Sequence, residues 1–552
     1  MLKNTKALKY LNQSTCLLAD LKVAKIHLKI NPKLFMDKIK ILWADDEIDL
    51  LKPHIIFLEQ KGYDVSTANN GSDAIDLLKE QPYDIVFLDE NMPGLSGIET
   101  LSEIKAMQPN LPVVMITKSE EEAIMEDAIG SRIADYLIKP VKPNQILLSL
   151  KKNLENKKIV SEKRSFAYQQ EFRNIGMEIS NNLNHKEWVD VYKKLVRWEL
   201  ELAKNDDEGI NDILRMQKEE ANKMFSKFIE KNYVDWINGR SSDKPAQSHT
   251  VIKDKVLPRL TKDSNDFLIL IDNMRYDQWK VLQPIIEEYF RIESDEIYYS
   301  ILPTTTQFAR NALFGGLLPS EIEKKYPQYW VNEDEEGTKN QFEQELFTEQ
   351  LKRHGKDLKI SYHKILNLNA GRRLVETLPN LMKNNLNIIV YNFVDMLSHA
   401  RTEMEIIREL ADDEPAYRSL TISWFQHSPL IEIMRYLSEK GANVILTTDH
   451  GSVRVQNPVK VIGDRNTNSN LRYKTGKSLN YNKKEVFEVR NPSDIYLPKM
   501  NVSSSYIFCQ NNDFFAYPNN YNYYVNYYRN TFQHGGVSME EVLIPFIRLK
   551  AK

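Results

Sequence analysis

Residues 84–94 read Asp-Ile-Val-Phe-Leu-Asp-Glu-Asn-Met-Pro-Gly. The apolar run Ile85 to Leu88 predicts a strand buried on both faces, and Asp89 stands where it ends. Working outward, further apolar runs occur at 39–44, 63–68, 112–116 and 134–138. Amphipathic stretches near 48–61, 71–80, 96–107, 120–129 and 142–155 lie between and after them. Five strands alternating with five helices predict a doubly wound parallel sheet.

Open parallel sheets place their sites at the carboxyl ends of the strands. Asp45-Asp46 ends the first predicted strand, Asp89 the third, Thr117 the fourth and Lys139-Pro140 the fifth. Clustered carboxylates repel one another unless a hard cation sits among them, so the group reads as a Mg²⁺ pocket. A helix-capping role would explain one such Asp, but not four matched strand ends. Ala-Asp-Asp-Glu (44–47), Leu-Asp-Glu-Asn-Met-Pro-Gly (88–94), Ile-Thr (116–117) and Tyr-Leu-Ile-Lys-Pro (136–140) resemble, in order and spacing, a CheY-type receiver domain over 39–155. The resemblance implies Asp89 as phosphoacceptor, Asp46 as direct Mg²⁺ ligand and Asp45 as a ligand through water. It further implies a metal bond from the Asn91 carbonyl, a phosphoryl contact from Lys139, and Thr117 and Tyr136 as switch residues. Lys118 departs from the family, which usually has a small residue there.

From 156 to 238 the strand signal vanishes, and Trp188, Val191, Tyr192, Leu195, Trp198 and Leu202 recur at helical spacing. Breaks at 181–184 and 205–209 predict about three helices in a bundle, read as a spacer that dimerises or relays. The polar stretch 239–250 reads as a linker. Beyond it, strands are predicted at 267–271, 297–302, 386–393, 443–448 and 542–549, with an acidic insertion at 332–337.

This second α/β region carries a different donor set. Asp272 ends a strand, Thr304-Thr305-Thr306 follows another, and Asp395 and His399 form Asp-x-x-x-His. Asp449-His450-Gly451 ends a third strand, and His534-Gly535-Gly536 precedes the last one. Each alone reads as a helix cap or an ordinary histidine. Together, carboxylates and imidazoles at strand ends suit Zn²⁺. Their order resembles the alkaline phosphatase superfamily, in its PglZ-domain branch, over 265–549. That resemblance implies one zinc on Asp272, Thr306, Asp449 and His450, and a second on Asp395, His399 and His534. Thr306 is then the nucleophile, activated by metal coordination, with Thr305 the alternative. Arg310, one helical turn past Thr306, reads either as a phosphate contact or as a surface salt bridge. Tyr517, Tyr521, Tyr523, Tyr524, Tyr527 and Tyr528 read either as base-stacking rings or as packing against the domain or a dimer partner.

Composition sets the outer limits. At 552 residues the chain is too long for one core. Apolar content of 42% and charged content of 27% are those of ordinary globular protein. The longest apolar runs are strand-length, which predicts no membrane span. Two cysteines, Cys16 and Cys509, fit a reducing, cytoplasmic setting. Net charge is −3, yet residues 1–35 hold seven lysines against Asp20 alone. The remaining body is therefore acidic, which argues against direct DNA binding. Residues 1–35 lack an apolar h-region, and Met36 reads as the start, with 1–35 a disordered or mis-assigned extension.

The expected architecture is α/β and multidomain: receiver 36–157, helical bundle 158–240, linker 241–254, and an alkaline-phosphatase-like α/β/α PglZ domain at 255–552. This order resembles the PorX-type response regulators, linked to type IX secretion in Bacteroidetes. The resemblance implies a partner histidine kinase, homodimerisation on phosphorylation, contact with a sigma factor or secretion component, and hydrolysis of a phosphodiester small molecule or oligonucleotide. The alternative is a signalling adaptor whose zinc-containing domain binds a partner protein without relevant catalysis.

Overall fold

The computed structural model describes residues 39–117, 133–203, 208–333, 335–403, 413–464, 467–499 and 503–552. The calls made on residues 1–35, on Lys118 and on the helix at 120–129 lie outside these residues, as does part of the break at 205–209. By internal contacts the chain divides at Lys163/Arg164 into two compact units.

In the first unit, β1 (Lys40–Ala44), β2 (Asp64–Ala68), β3 (Ile85–Asp89), β4 (Val113–Thr117) and β5 (Asp135–Ile138) form one parallel sheet. Its order β2-β1-β3-β4-β5 is one of the two common doubly wound arrangements. Helices α1 (Lys52–Gln60), α2 (Gly71–Glu80) and α3 (Gly97–Met107) fall where the amphipathic stretches predict them. The start of α2 is fixed by Asn70, whose side chain accepts from Asp73 N at 2.9 Å. Ser96 and Glu99 form a capping box on α3. A Cβ on Gly97 would lie 2.3 Å from the Asp89 carbonyl oxygen, so only glycine lets α3 begin this close to the end of β3.

The helix after β5 does not stop at the expected boundary. It is α4 (Pro143–Ser180), continuous across 157/158. No Gly or Pro falls between 144 and 175 to end it. It is followed by α5 (His185–Leu202), capped by Asn184 and Glu187, and by α6 (Glu208–Ile237). All six apolar positions that predicted α5 are buried.

The second unit is built on a sheet of order β7-β19-β10-β6-β9-β8. Its strands are β6 (Asp266–Ile271), β7 (Phe290–Tyr299), β8 (Ile360–Ile365), β9 (Leu386–Tyr391), β10 (Asn443–Thr447) and β19 (Leu543–Ala551). β10, β6, β9 and β8 run parallel, whereas β19 is antiparallel to both β10 and β7. Helices α7 (Tyr276–Ile286), α8 (Glu343–Arg353), α9 (Leu368–Leu381), α10 (Phe393–Glu403), α11 (Glu414–His427) and α12 (Pro429–Glu439) connect them.

Between β10 and β19 lie short strands that the sequence did not announce. β11 (Val453–Arg454) pairs with β18 (Phe532–Gln533), and β12 (Asn457–Ile462) pairs with β14 (Asn480–Tyr481) and β17 (Asp513–Ala516). β13 (Tyr473–Gly476) and β15 (Val486–Val489) flank β16 (Ser505–Cys509). The tyrosine-rich α13 (Tyr521–Tyr528) precedes β18. Its rings form two stacked pairs, Tyr523–Tyr527 and Tyr524–Tyr528, each 6.2 Å between centroids. Tyr523 and Tyr524 remain exposed, so burial in the domain core does not account for them.

The bundle also packs against the sheet of the second unit. Trp188, Phe225 and Tyr233 share one apolar core with Phe267 to Ile271 of β6. Asn222 donates to Glu540 and accepts from Met539 N, and Tyr233 accepts from Leu302 N. The expected linker is also structured. Tyr299 N donates to the Ala246 carbonyl at 2.9 Å, and Gln247 and Ser248 are buried. Pairing its backbone to a sheet edge removes the freedom that a polar composition suggested.

Candidate functional sites

In the first unit, β1 ends just before Asp45, β3 at Asp89 and β5 just before Lys139. Lys139 Nζ lies 3.0 Å from Asp45 Oδ2 and 2.8 Å from Asp89 Oδ1. Asp45 and Asp89 are buried while Asp46 is exposed, and the three offer ligand atoms within 4.8 Å of one another. Burial pushes the Asp89 carboxyl up; the Lys139 hydrogen bond opposes this, and the Asp45 charge adds to it. Burial also works against the Lys139 ammonium, but its bonds to Asp89 and Asp45 leave it above the usual lysine range. Thr117 is buried at the end of β4, Tyr136 is 37% exposed on β5, and Asn91 lies in the exposed turn after β3. Asp45, Asp46, Asp89, Asn91, Thr117 and Lys139 therefore lie on a strand end or in the loop following it, and Tyr136 lies within β5.

In the second unit the donors gather at the carboxyl ends of β6, β9 and β10, with Thr306 arriving from the segment after β7. Asp272 follows β6 directly, and Asp449 and His450 follow β10. His450 Nε2 lies 3.8 Å from Asp272 Oδ1 and 3.7 Å from Asp449 Oδ2, all three fully buried. Asp395 and His399, four residues apart on α10, share one side of that helix. Asp395 meets His399 Nε2 at 3.6 Å and His534 Nε2 at 3.5 Å. His534 stacks on His450 with ring centroids 4.4 Å apart, which brings the two trios side by side. A Cβ on Gly451 would sit 2.1 Å from the Glu540 carbonyl oxygen, so Asp449-His450-Gly451 needs its glycine to pass that backbone.

The three threonines have different places. Thr304 is buried and structural, donating to the Gly536 carbonyl and accepting from Gly535 N, both at 3.0 Å. Thr305 sits just before a wide helical turn, Thr306–Arg310, with its hydroxyl buried and without a hydrogen-bond partner. Thr306 begins that π-helical turn, is partly exposed, and places its Oγ1 3.1 Å from His450 Nε2. Such wide turns are frequent at functional sites.

Arg310 is neither a surface salt bridge nor open to a substrate. It has no solvent exposure and pairs with Asp272, with Asp449 at 3.0 Å and with Glu343 of α8 at 3.4 Å. One turn of helix carries it beneath the threonine, into the carboxylate cluster. Burial pushes Asp272 well up, Arg310 opposes this, and the neighbouring Asp449 and Asp395 charges add to it. Asp449 also suffers burial, but Arg310 and His450 hold it at about 2. Burial, with His450 and His399 nearby, keeps His534 well below the ordinary histidine value, so its imidazole is neutral and able to donate a lone pair.

A divalent cation fits this donor set. Asp272 Oδ1 and His534 Nδ1 are buried without a hydrogen-bond partner, and each trio offers ligand atoms within 4.8 Å. Carboxylate and imidazole together are the donors of zinc-type sites. Sequence reasoning missed Asn273 and Glu343. Asn273 adopts φ 63° and donates to Asp395 Oδ1 at 3.4 Å. The Asp-Asn pair at a strand end was a usable signal for it, whereas nothing local marks Glu343.

Comparison with known families matches this geometry along the chain. Residues 41–151 match the response regulator receiver domain, 158–237 the PorX response regulator linker domain, and 251–549 the BREX system PglZ alkaline phosphatase-like domain. The chain belongs to the PglZ family. Its receiver, linker and PglZ domains together make the architecture of a PorX-type response regulator. Similar proteins include the alginate biosynthesis transcriptional regulatory protein AlgB of Pseudomonas putida, 37% identical over 116 residues, which are 21% of this chain and 26% of that protein. The transcriptional regulatory protein CpxR homolog of Haemophilus influenzae is 40% identical over 114 residues, 20% of this chain and 48% of that protein. The chain thus spans about a quarter to a half of the curated relatives it matches. A solved receiver domain protein from Clostridium thermocellum is 30% identical, covering 22% of this chain and 98% of that one, with a TM-score of 0.21. Among the described residues no helix is long and apolar enough to cross a membrane.

Proposed function

We propose that this PorX-type response regulator is a two-zinc phosphodiesterase whose output is switched by phosphorylation of Asp89. The observation that carries the reading is the pair of ligand trios lying side by side, with Thr306 Oγ1 3.1 Å from His450 Nε2 of one trio. Asp272, Asp449, His450 and Thr306 would hold one metal, and Asp395, His399 and His534 the other. Bound zinc supplies Lewis-acid charge stabilisation and lowers the pKa of a coordinated hydroxyl. The Thr306 hydroxyl would give its proton to water as Oγ attacks phosphorus, and the P–O bond to the leaving alkoxide would break as that alkoxide takes a proton from water. Water then attacks the phosphoryl-threonine and restores the hydroxyl. Arg310 orients the Asp272 and Asp449 carboxylates rather than touching substrate, and Asn273 orients Asp395.

In the receiver, Asp45, Asp46, Asp89 and the Asn91 carbonyl would hold Mg²⁺. Lys139 would neutralise the phosphoryl oxygens, with Thr117 and Tyr136 as the switch. The phosphodonor is a cytoplasmic histidine kinase, phosphorylation favours a homodimer, and the downstream setting is type IX secretion, with a sigma factor or secretion component as protein partner. The acidic body of the chain argues against direct DNA contact. The deciding experiment is metal analysis together with a panel of phosphodiesters, run on the wild type and on Thr306→Ala. Zinc-dependent turnover lost in the variant supports the reading; bound zinc with negligible wild-type turnover would leave an adaptor instead.

A further inference from the structure

Helix α10 has a second face. Phe393 and Leu397, four residues apart, lie about 200° around the helix from Asp395 and His399, because each pair is offset from the other by two residues. That second face lines a cavity of about 700 Å³. Ile365, Leu368, Leu420 and Trp424 complete most of the wall. The volume lies within the range of small-molecule sites, about 300–1,000 Å³.

Two features define what this space accepts. Among the described residues no Asp, Glu, Lys or Arg lines it, and Asn367, Ser423, His427 and Ser428 are its polar side chains besides Tyr391, so a carboxylate, phosphate or ammonium entering it would lose hydration without a carboxylate, lysine or arginine counter-charge among those residues. Its wall includes Tyr391, which is 3% exposed and whose hydroxyl has no hydrogen-bond partner. A buried phenol left unpaired costs free energy, and a ligand that accepts from it removes that cost. Leu366 and Leu368, both on the wall, are about half exposed, so the cavity opens to solvent past apolar side chains.

We propose that this cavity, separate from the metal-ligand cluster, is a binding site for a neutral, largely apolar small molecule carrying one carbonyl-type oxygen that accepts from Tyr391. The site does not depend on the zinc phosphodiesterase reading, because none of the six metal-ligand residues or Thr306 lines it.

The test uses prodan, a neutral naphthyl ketone whose emission moves to the blue in apolar surroundings, titrated into the full-length protein. The expected result is saturable, blue-shifted binding. Tyr391→Phe keeps the ring and removes only the donor, and should weaken binding about three- to tenfold. Leu366→Arg, at an exposed position that the fold tolerates, should weaken it more than about tenfold. Tyr523→Ala, on the exposed rings of α13, should bind as wild type. Non-saturable binding, wild-type affinity in Leu366→Arg or in Tyr391→Phe, or loss in Tyr523→Ala would each overturn the assignment.

Discussion

Arg310 and Asp449 form an ion pair, Nε to Oδ2 at 3.0 Å, in which neither side chain has any solvent exposure. The same guanidinium also reaches Asp272 and Glu343. Removing it leaves three carboxylates in a buried cluster without their main counter-charge. Arg310→Met should therefore destabilise the metal-free protein by about 3 kcal/mol, since breaking a buried pair strands the partner charge. Zinc, proposed to bind the same carboxylates, should restore much of that loss. Thermal melts with chelator and with saturating zinc measure both effects; equal melting of variant and wild type under chelator would refute the charge-balance argument.

The hydroxyls of Thr305 and Thr306 differ in surroundings although the residues are adjacent. Thr306→Ala should keep the fold and most of the zinc yet lose phosphodiester turnover by about a hundredfold or more, because the covalent route is gone. Thr305→Ala should be mild. Single-turnover assays on both variants separate them, and a more damaging Thr305 change would move the nucleophile by one residue.

His534 is neutral in its largely buried position, its side chain 13% exposed, and faces Asp395 and His450. If both trios fill, the wild type should carry about two zinc ions per chain, and His534→Ala about one. Elemental analysis of dialysed protein decides this; retention of both ions would remove His534 from the ligand set.

Asp89 is the buried carboxylate that Lys139 contacts at 2.8 Å. A small phosphodonor with Mg²⁺ should label it, and Asp89→Asn should abolish the label. Sedimentation should show more dimer after labelling, whereas label persisting in the variant would point to another acceptor.

His249 is depressed from the ordinary 6.5 to about 4, first by burial and then by Lys244 and Lys253. Between those values the unfolded chain takes a proton that the folded one refuses. Stability from this group is therefore full above about pH 6.5 and falls as pH drops toward 4, by on the order of 1–2 kcal/mol at pH 5. His249→Gln should lessen the drop in urea midpoint between pH 7 and pH 5. An unaltered pH dependence would show that the buried imidazole is not its source.

How much was legible follows from how local each signal is. Strand-end carboxylates such as Asp45, Asp89, Asp272 and Asp449 announce themselves because a run of apolar residues stops at a charge. Asp395 and His399 do so through their four-residue spacing. The bundle's amphipathic stripe was also plain in α5. Its docking onto the sheet was not, because the contacts that hold it, such as Asn222 with Glu540, join residues 318 apart. The strands β11 to β18 are two to six residues long and lack sustained alternation, so pairing rather than propensity makes them strands. Arg310 was placed correctly in sequence and wrongly in space, since one helical turn fixes its neighbours along the helix but not what packs above it.

β19 lies between β7 and β10, inside the sheet rather than at its edge, although it follows both of them in the chain. His534 emerges only shortly before it. During synthesis, β10 and β7 must wait with open edges until residues 543–551 arrive to join them. The metal-ligand site is therefore late by order of manufacture: a growing chain can complete its receiver sheet early, but neither the second ligand trio nor the full six-stranded sheet exists until residues 534–551 have been made.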